Sequence, residues 1–140
     1  MVRDDLNALS GNVIEECIRI HRELGSGLLE SVYETVLAGA LGRRGMRVDR
    51  QLPVDIEFDG MRFPSAFRID LIVDQVLILE IKSVERLAGL HAKQLLTYLR
   101  LTKRPLGLLL NFSGETMKHG IRRVINDYPQ EQLLRASVPL

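Results

Sequence analysis

The sequence predicts an α/β fold, a three-layer α/β/α arrangement with helices on both faces of a mixed central sheet. Three observations carry that expectation. Helix-periodic and strand-like segments follow one another in the order helix, helix, strand, strand, strand, helix, strand, helix. Two of the strand-like runs, Val76 to Ile81 and Leu106 to Phe112, are almost continuously apolar, as strands covered on both faces are. A helical stretch lies between those two runs, and such a crossover brings parallel strands side by side.

At 140 residues the chain is expected to form a single domain, 1–140, with a core of about 10–126 and a short tail, 127–140. Its 46% hydrophobic and 26% charged content is that of a soluble globular protein and excludes a low-complexity chain. No apolar run approaches the roughly 18 residues of a membrane-spanning helix, and MVRDDLNALS lacks the apolar core of a signal peptide, so no membrane partner is expected. One cysteine, Cys17, makes no disulfide framework, and the cytoplasm is the expected compartment. A net charge of +1 excludes coating nucleic acid by bulk electrostatics. Local patches remain, Arg43, Arg44, Arg47 and Arg50 or Lys118, Arg122 and Arg123, each equally readable as an ordinary solvated face.

Residues 5–24 space Leu6, Leu9, Val13, Cys17, Ile20 and Leu24 by three and four, an amphipathic helix with Asp4 and Asp5 near its start and Gly25-Ser26-Gly27 at its end. Cys17 reads as core packing, while Glu15, Glu16 and His21 are expected in solvent. A second helix, 28–44, carries an apolar stripe from Leu29 to Leu41 and has Glu30 in its first turn. In strand 48–58, Val54, Ile56 and Phe58 alternate with acids, and Pro53 assigns its early part to an edge or bulge. Asp59-Gly60 turns the chain into strand 61–73, interrupted at Pro64-Ser65, and a third strand follows over 76–83. Residues 84–103 read as a well-covered helix in which Leu90, Gln94 and Tyr98 share a stripe, with His91 nearby. A buried Gln94 needs partners, which a functional site or the backbone of a helix–sheet contact would supply equally well. After Pro105 come strand 106–112 and a short helix, 116–126. The tail, 131–140, is expected to add a helical turn or a partner contact, without chemistry.

Residues 67–82, FRIDLIVDQVLILEIK, place charged side chains inside apolar strand. Burying a carboxylate or an ammonium is costly unless it pairs or meets a metal. Alternation puts Glu80 and Lys82 on one face. A two-residue turn at Asp74-Gln75 would send Asp70 and Glu80 to opposite faces, whereas a three-residue loop, Asp74 to Val76, or a bulge sets them side by side. The loop or the bulge is expected.

An Asp on one strand with Glu-x-Lys on the next resembles the active-site motif of the PD-(D/E)xK nuclease superfamily. Gly27-Leu28-Leu29-Glu30-Ser31-Val32-Tyr33 matches the GxxExxY signature of a small family within it, and the helix His91-Ala92-Lys93-Gln94-Leu95-Leu96-Thr97-Tyr98 is similar to that family's HxxQLxxY element. Leu110-Asn111-Phe112 and Gly120-Ile121-Arg122-Arg123 resemble its closing strand and helix. The resemblance implies an αβββαβ restriction-endonuclease-like core and hydrolysis of phosphodiester bonds. It implies Asp70, Glu80 and the Ile81 carbonyl as ligands of Mg²⁺, with Mn²⁺ as a substitute. Lys82 is the expected catalytic cation, Glu30 the supporting early acid ahead of Glu34, and Gln94 a positioning group; Arg68, His91 and Tyr98 are candidate nucleic-acid contacts. DNA is the expected substrate ahead of RNA, and a homodimer would cut both strands of a duplex. Two alternatives stay open: a buried ion pair of Lys82 with Asp70 or Glu80 that sets strand register, and a non-catalytic nucleic-acid-binding protein on the same fold.

Overall fold

The computed structural model describes residues 3–126 of the chain; the expected tail lies outside them. Two helices come first, α1 (Arg3–Leu24) and α2 (Glu30–Arg43), followed by strands β1 (Val48–Phe58), β2 (Met61–Val73) and β3 (Leu77–Lys82). Helix α3 (Gly89–Thr102), β4 (Leu106–Asn111), a 3-10 turn (Lys118–Gly120) and β5 (Ile121–Ile125) complete the described chain. The strands form one sheet in the order β1-β2-β3-β4-β5. Only the pairing of β3 with β4 is parallel, as the α3 crossover requires.

Alternation along the strands divides the core into two layers. Leu77, Leu79 and Ile81 pack with Val13, Cys17, Ile20, Tyr33 and Leu37 of α1 and α2. Ile72, Ile78 and Leu109 pack with Leu95 and Leu99 of α3 on the other face. Each fully buried aliphatic side chain contributes about 1.5–3 kcal/mol over exposure. Helix α3 sits so close that a Cβ on Gly107 would press into Leu95.

The turn between β2 and β3 is the three-residue loop. Asp74 and Gln75 both adopt left-handed backbone, at φ 50° and 59°, and Leu71, Ile72 and Val73 face Leu79, Ile78 and Leu77. Pro64-Ser65 does not break β2; the chain bulges there, with Ser65 at φ 50° and its N–H donating to Asp55 Oδ1 at 2.8 Å.

Three expectations need correction. Residues 116–126 are not a helix: Ile121, Val124 and Ile125 are β-branched, and they pair with β4, whose edge would otherwise be open. The third helix starts at Gly89 rather than at 84, because the Asn111 side chain claims the backbone of Val84 and the Ala88 N–H donates to His91 Nδ1 at 3.1 Å. His21 is buried, its Nε2 lying 2.8 Å from the Gly114 carbonyl, a partner 93 residues away that helical periodicity does not reveal.

Candidate active site

Asp70 and Glu80 are neighbours across β2 and β3. The paired register ends at Leu71 and Leu79, the residues next to this pair, and the Asp70 N–H points at Glu80 Oε1 over 3.4 Å. The Ile81 N–H donates to Asp70 Oδ2 at 2.8 Å. The β2 strand slips at this point: Leu71 belongs to the α1/α2 core while Ile69, two residues earlier, belongs to the α3 core. Opposite the slip on β1, between the pairs Arg50–Leu71 and Leu52–Ile69, Gln51 adopts φ 49°. Both strands therefore distort together around Asp70, a local cost of the kind found where backbone is re-aimed for function.

Gln51 joins the site to α2. Its Nε2 donates to Glu34 Oε1 at 2.5 Å and reaches Asp70 Oδ1 at 3.4 Å. Glu34 is buried, and its other oxygen accepts from Arg50 at 3.1 Å. The α2 acid connected to Asp70 is thus Glu34, whereas Glu30 stands exposed at the first residue of the helix. The two are one helical turn apart on the same side of α2, and only Glu34, one turn in from the helix start, is buried along with Tyr33 and Leu37.

The Tyr of the GxxExxY stretch shapes the backbone. Tyr33 Oη donates to the Gly25 carbonyl at 2.6 Å and accepts the Leu28 N–H at 3.2 Å, and the ring stacks on Phe112 at 4.5 Å. Gly27 in the same turn has φ 100°, a conformation that side chains resist. Ser83 Oγ then donates to the Leu28 carbonyl at 3.1 Å, docking this turn onto the end of the strand that carries Glu80 and Lys82.

Glu80 is 7% exposed, and its carboxyl is pushed up to about 9. Burial is the largest cause, and the adjacent Asp70 carboxylate adds to it; Lys82 only partly opposes them. Without a cation the carboxyl keeps its proton at neutral pH. Two adjoining carboxyls of which one holds a proton are a fitting donor set for a hard divalent cation, which would replace that proton. Among the described residues no group of three His, Cys, Asp or Glu comes together, so a hexacoordinate ion here would take its remaining ligands from backbone oxygen and water.

Lys82 is half-buried two residues beyond Glu80, and alternation gives it the same face. On α3, Tyr98 is half-buried, stacked on Phe67 at 4.1 Å and 5°. Its phenol titrates above its usual value through burial first and then the Glu80 and Asp70 charges, which puts the ring within the field of the site. Gln94, one turn earlier, is exposed rather than in a buried stripe; the buried positions of α3 are Leu95, Leu99 and Thr102. His91, half-buried, spends Nδ1 on the Ala88 N–H, and Arg68 is exposed on β2. The residue that sequence reasoning missed altogether is Gln51. Nothing in VDRQLPV marks a left-handed residue, since Gln does not favour that conformation.

A family model described as the PD-(D/E)XK nuclease superfamily matches residues 7–124. The crystal structure of SSO0001 matches with a TM-score of 0.54 and 19% identity, covering 88% of this chain and 70% of that one, a likeness of fold. No curated protein matches.

Proposed function

Given that the chain belongs to the PD-(D/E)XK nuclease superfamily, whose members generally depend on a divalent metal, we propose that it hydrolyses phosphodiester bonds in DNA, ahead of RNA, with Mg²⁺ or in its place Mn²⁺. The observation that carries the reading is the buried Glu80 carboxyl beside the half-buried Asp70, the Glu80 proton being one that a cation would displace. Their carboxylates, with the Ile81 carbonyl, would hold the ion. When bound, it would supply Lewis-acid polarisation of the scissile phosphate.

The protein's own groups account for the rest. The Ile81 N–H and the Gln51 amide orient Asp70, and Glu34 orients Gln51 in turn. Lys82 would donate to a phosphate oxygen and stabilise negative charge as it develops in the transition state. Tyr98 and Gln94, one turn apart on α3, with His91 and Arg68, form the surface over which the strand would lie. Glu34 takes the supporting place expected of Glu30. Glu30 itself, exposed beside the Leu28 turn, would meet substrate or solvent. Within the superfamily, Gly27, Glu30 and Tyr33 support assignment to the GxxExxY family. One site per chain favours a homodimer for cutting duplex DNA, and the buried, unpaired Cys17 fits a reducing cytoplasm. Among the described residues no helix is long and apolar enough to cross a membrane.

Cleavage of plasmid, single-stranded and branched DNA with Mg²⁺, Mn²⁺ or chelator tests this. Wild type should cut in a metal-dependent way and Glu80→Ala should not. If the two behave alike on every substrate, the non-catalytic binding reading replaces this one.

A further inference from the structure

Beyond the end of β3 lies a cleft of about 270 Å³ whose walls include Glu85, Arg86, Asn111, His119, Gly120 and Arg122. Buried groups build it. Asn111, 5% exposed, pairs in the sheet with Lys82. Its side chain grips the loop that follows β3 in both senses: Nδ2 donates to the Val84 carbonyl at 2.9 Å, and Oδ1 accepts the Val84 N–H at 3.1 Å. Arg86 follows two residues later on that fixed loop. On the other wall, Gly120 lets the chain close on the Asn111 carbonyl so tightly that a Cβ would collide with it. That approach sets His119 and Arg122 beside the cleft. His119 Nδ1 lies 2.8 Å from Thr116 Oγ1, which leaves Nε2 as its outward nitrogen.

The cations here are uncommitted. Among the described residues neither Arg86 nor Arg122 forms an ion pair, and the cleft holds one acid, Glu85. The basic run between α2 and β1 differs, because Glu15, Asp49 and Glu34 hold Arg44, Arg47 and Arg50. Two guanidinium groups against one carboxylate leave a single positive charge, the complement of one phosphodiester. Planar guanidinium forks suit phosphate oxygens in particular.

We propose that this cleft is a phosphate subsite: Arg86 and Arg122 hold a backbone phosphate of the nucleic-acid strand that flanks the one presented to Asp70, Glu80 and Lys82. It rests on the nuclease reading above for the identity of the strand. Contact through the sugar–phosphate backbone carries no base information, so the subsite fixes the path of the strand and not its sequence.

The test is binding in chelator, where metal-dependent cleavage is silent. Anisotropy of fluorescein-labelled short DNA, single-stranded and duplex, would be followed against salt for wild type, Arg86→Ala/Arg122→Ala and the hairpin control Arg62→Ala. The double variant should bind the tighter form at least about tenfold more weakly, with the log–log salt slope reduced by about 0.7–0.9, the change expected for one lost phosphate contact. Arg62→Ala should bind like wild type, and excess inorganic phosphate should compete weakly. Wild-type affinity and slope in the double variant, or no DNA binding by wild type, would overturn the subsite. Failure of the nuclease reading shows separately, as absence of metal-dependent cleavage while the arginine-dependent binding persists.

Discussion

Among single residues, Glu80 and its immediate surroundings decide whether the site can hold a cation. Its carboxyl titrates near 9 in the metal-free fold, against an ordinary value near 4.5. Between those two values the folded chain holds a proton that the unfolded chain has released. Metal-free stability should therefore fall as pH rises from about 5 to about 9. Glu80→Gln removes that ionisation, so its melting temperature in chelator should match wild type near pH 5 and exceed it near pH 8; thermal denaturation at the two values decides. Glu34→Gln keeps size and burial while weakening the hold on Gln51. The expected result is a metal affinity lower by roughly 10–100-fold with little change in melting temperature, measured by Mn²⁺ titration. The Asp70–Glu80 adjacency was legible in the sequence as an expectation, because alternation together with a three-residue loop or a bulge sets the two side by side, and the loop is what forms. The Gln51 and Glu34 link was not, because it depends on an uncommon backbone conformation and on how α2 docks against β1.

Elements show where local pattern and long-range packing disagree. Ile121, Val124 and Ile125 are spaced by three and four, which mimics a helix, yet the segment becomes β5. The deciding contact lies at Gly120, where only a glycine lets the chain approach the Asn111 carbonyl. Gly120→Ala should cost about 1–3 kcal/mol in urea denaturation and lower hydrogen-exchange protection in β5 first. Asn111 ties the same region to the loop after β3, so Asn111→Ala leaves the Val84 backbone groups unpaired and should cost about 1–3 kcal/mol. The meander β1-β2-β3 and the α3 crossover were legible because their apolar runs and turn residues agree. The start of α3 was not: Leu87 and Leu90 continue its periodicity, but the Asn111 side chain competes for the backbone at Val84.

Over the whole molecule, two cores on opposite faces of one sheet hold β3 from both sides, α1 and α2 on one and α3 on the other. That sandwich buries Glu80 and makes the carboxyl pair demand either a proton or a cation. The three-layer architecture could be read from the order of elements, since each helix and strand must bury a face. The edge at β5 could not, since its pairing exists only once the sheet has formed. If Asp70 and Glu80 form a cation site, its occupation must release the Glu80 proton. Isothermal titration of Mn²⁺ into chelator-stripped protein near pH 7, repeated in buffers of different ionisation enthalpy, counts that proton directly. Wild type should show saturable binding with about one proton released per ion, and Glu80→Ala should lose both binding and release. Binding that releases no proton, or that persists unchanged in Glu80→Ala, would contradict such a site.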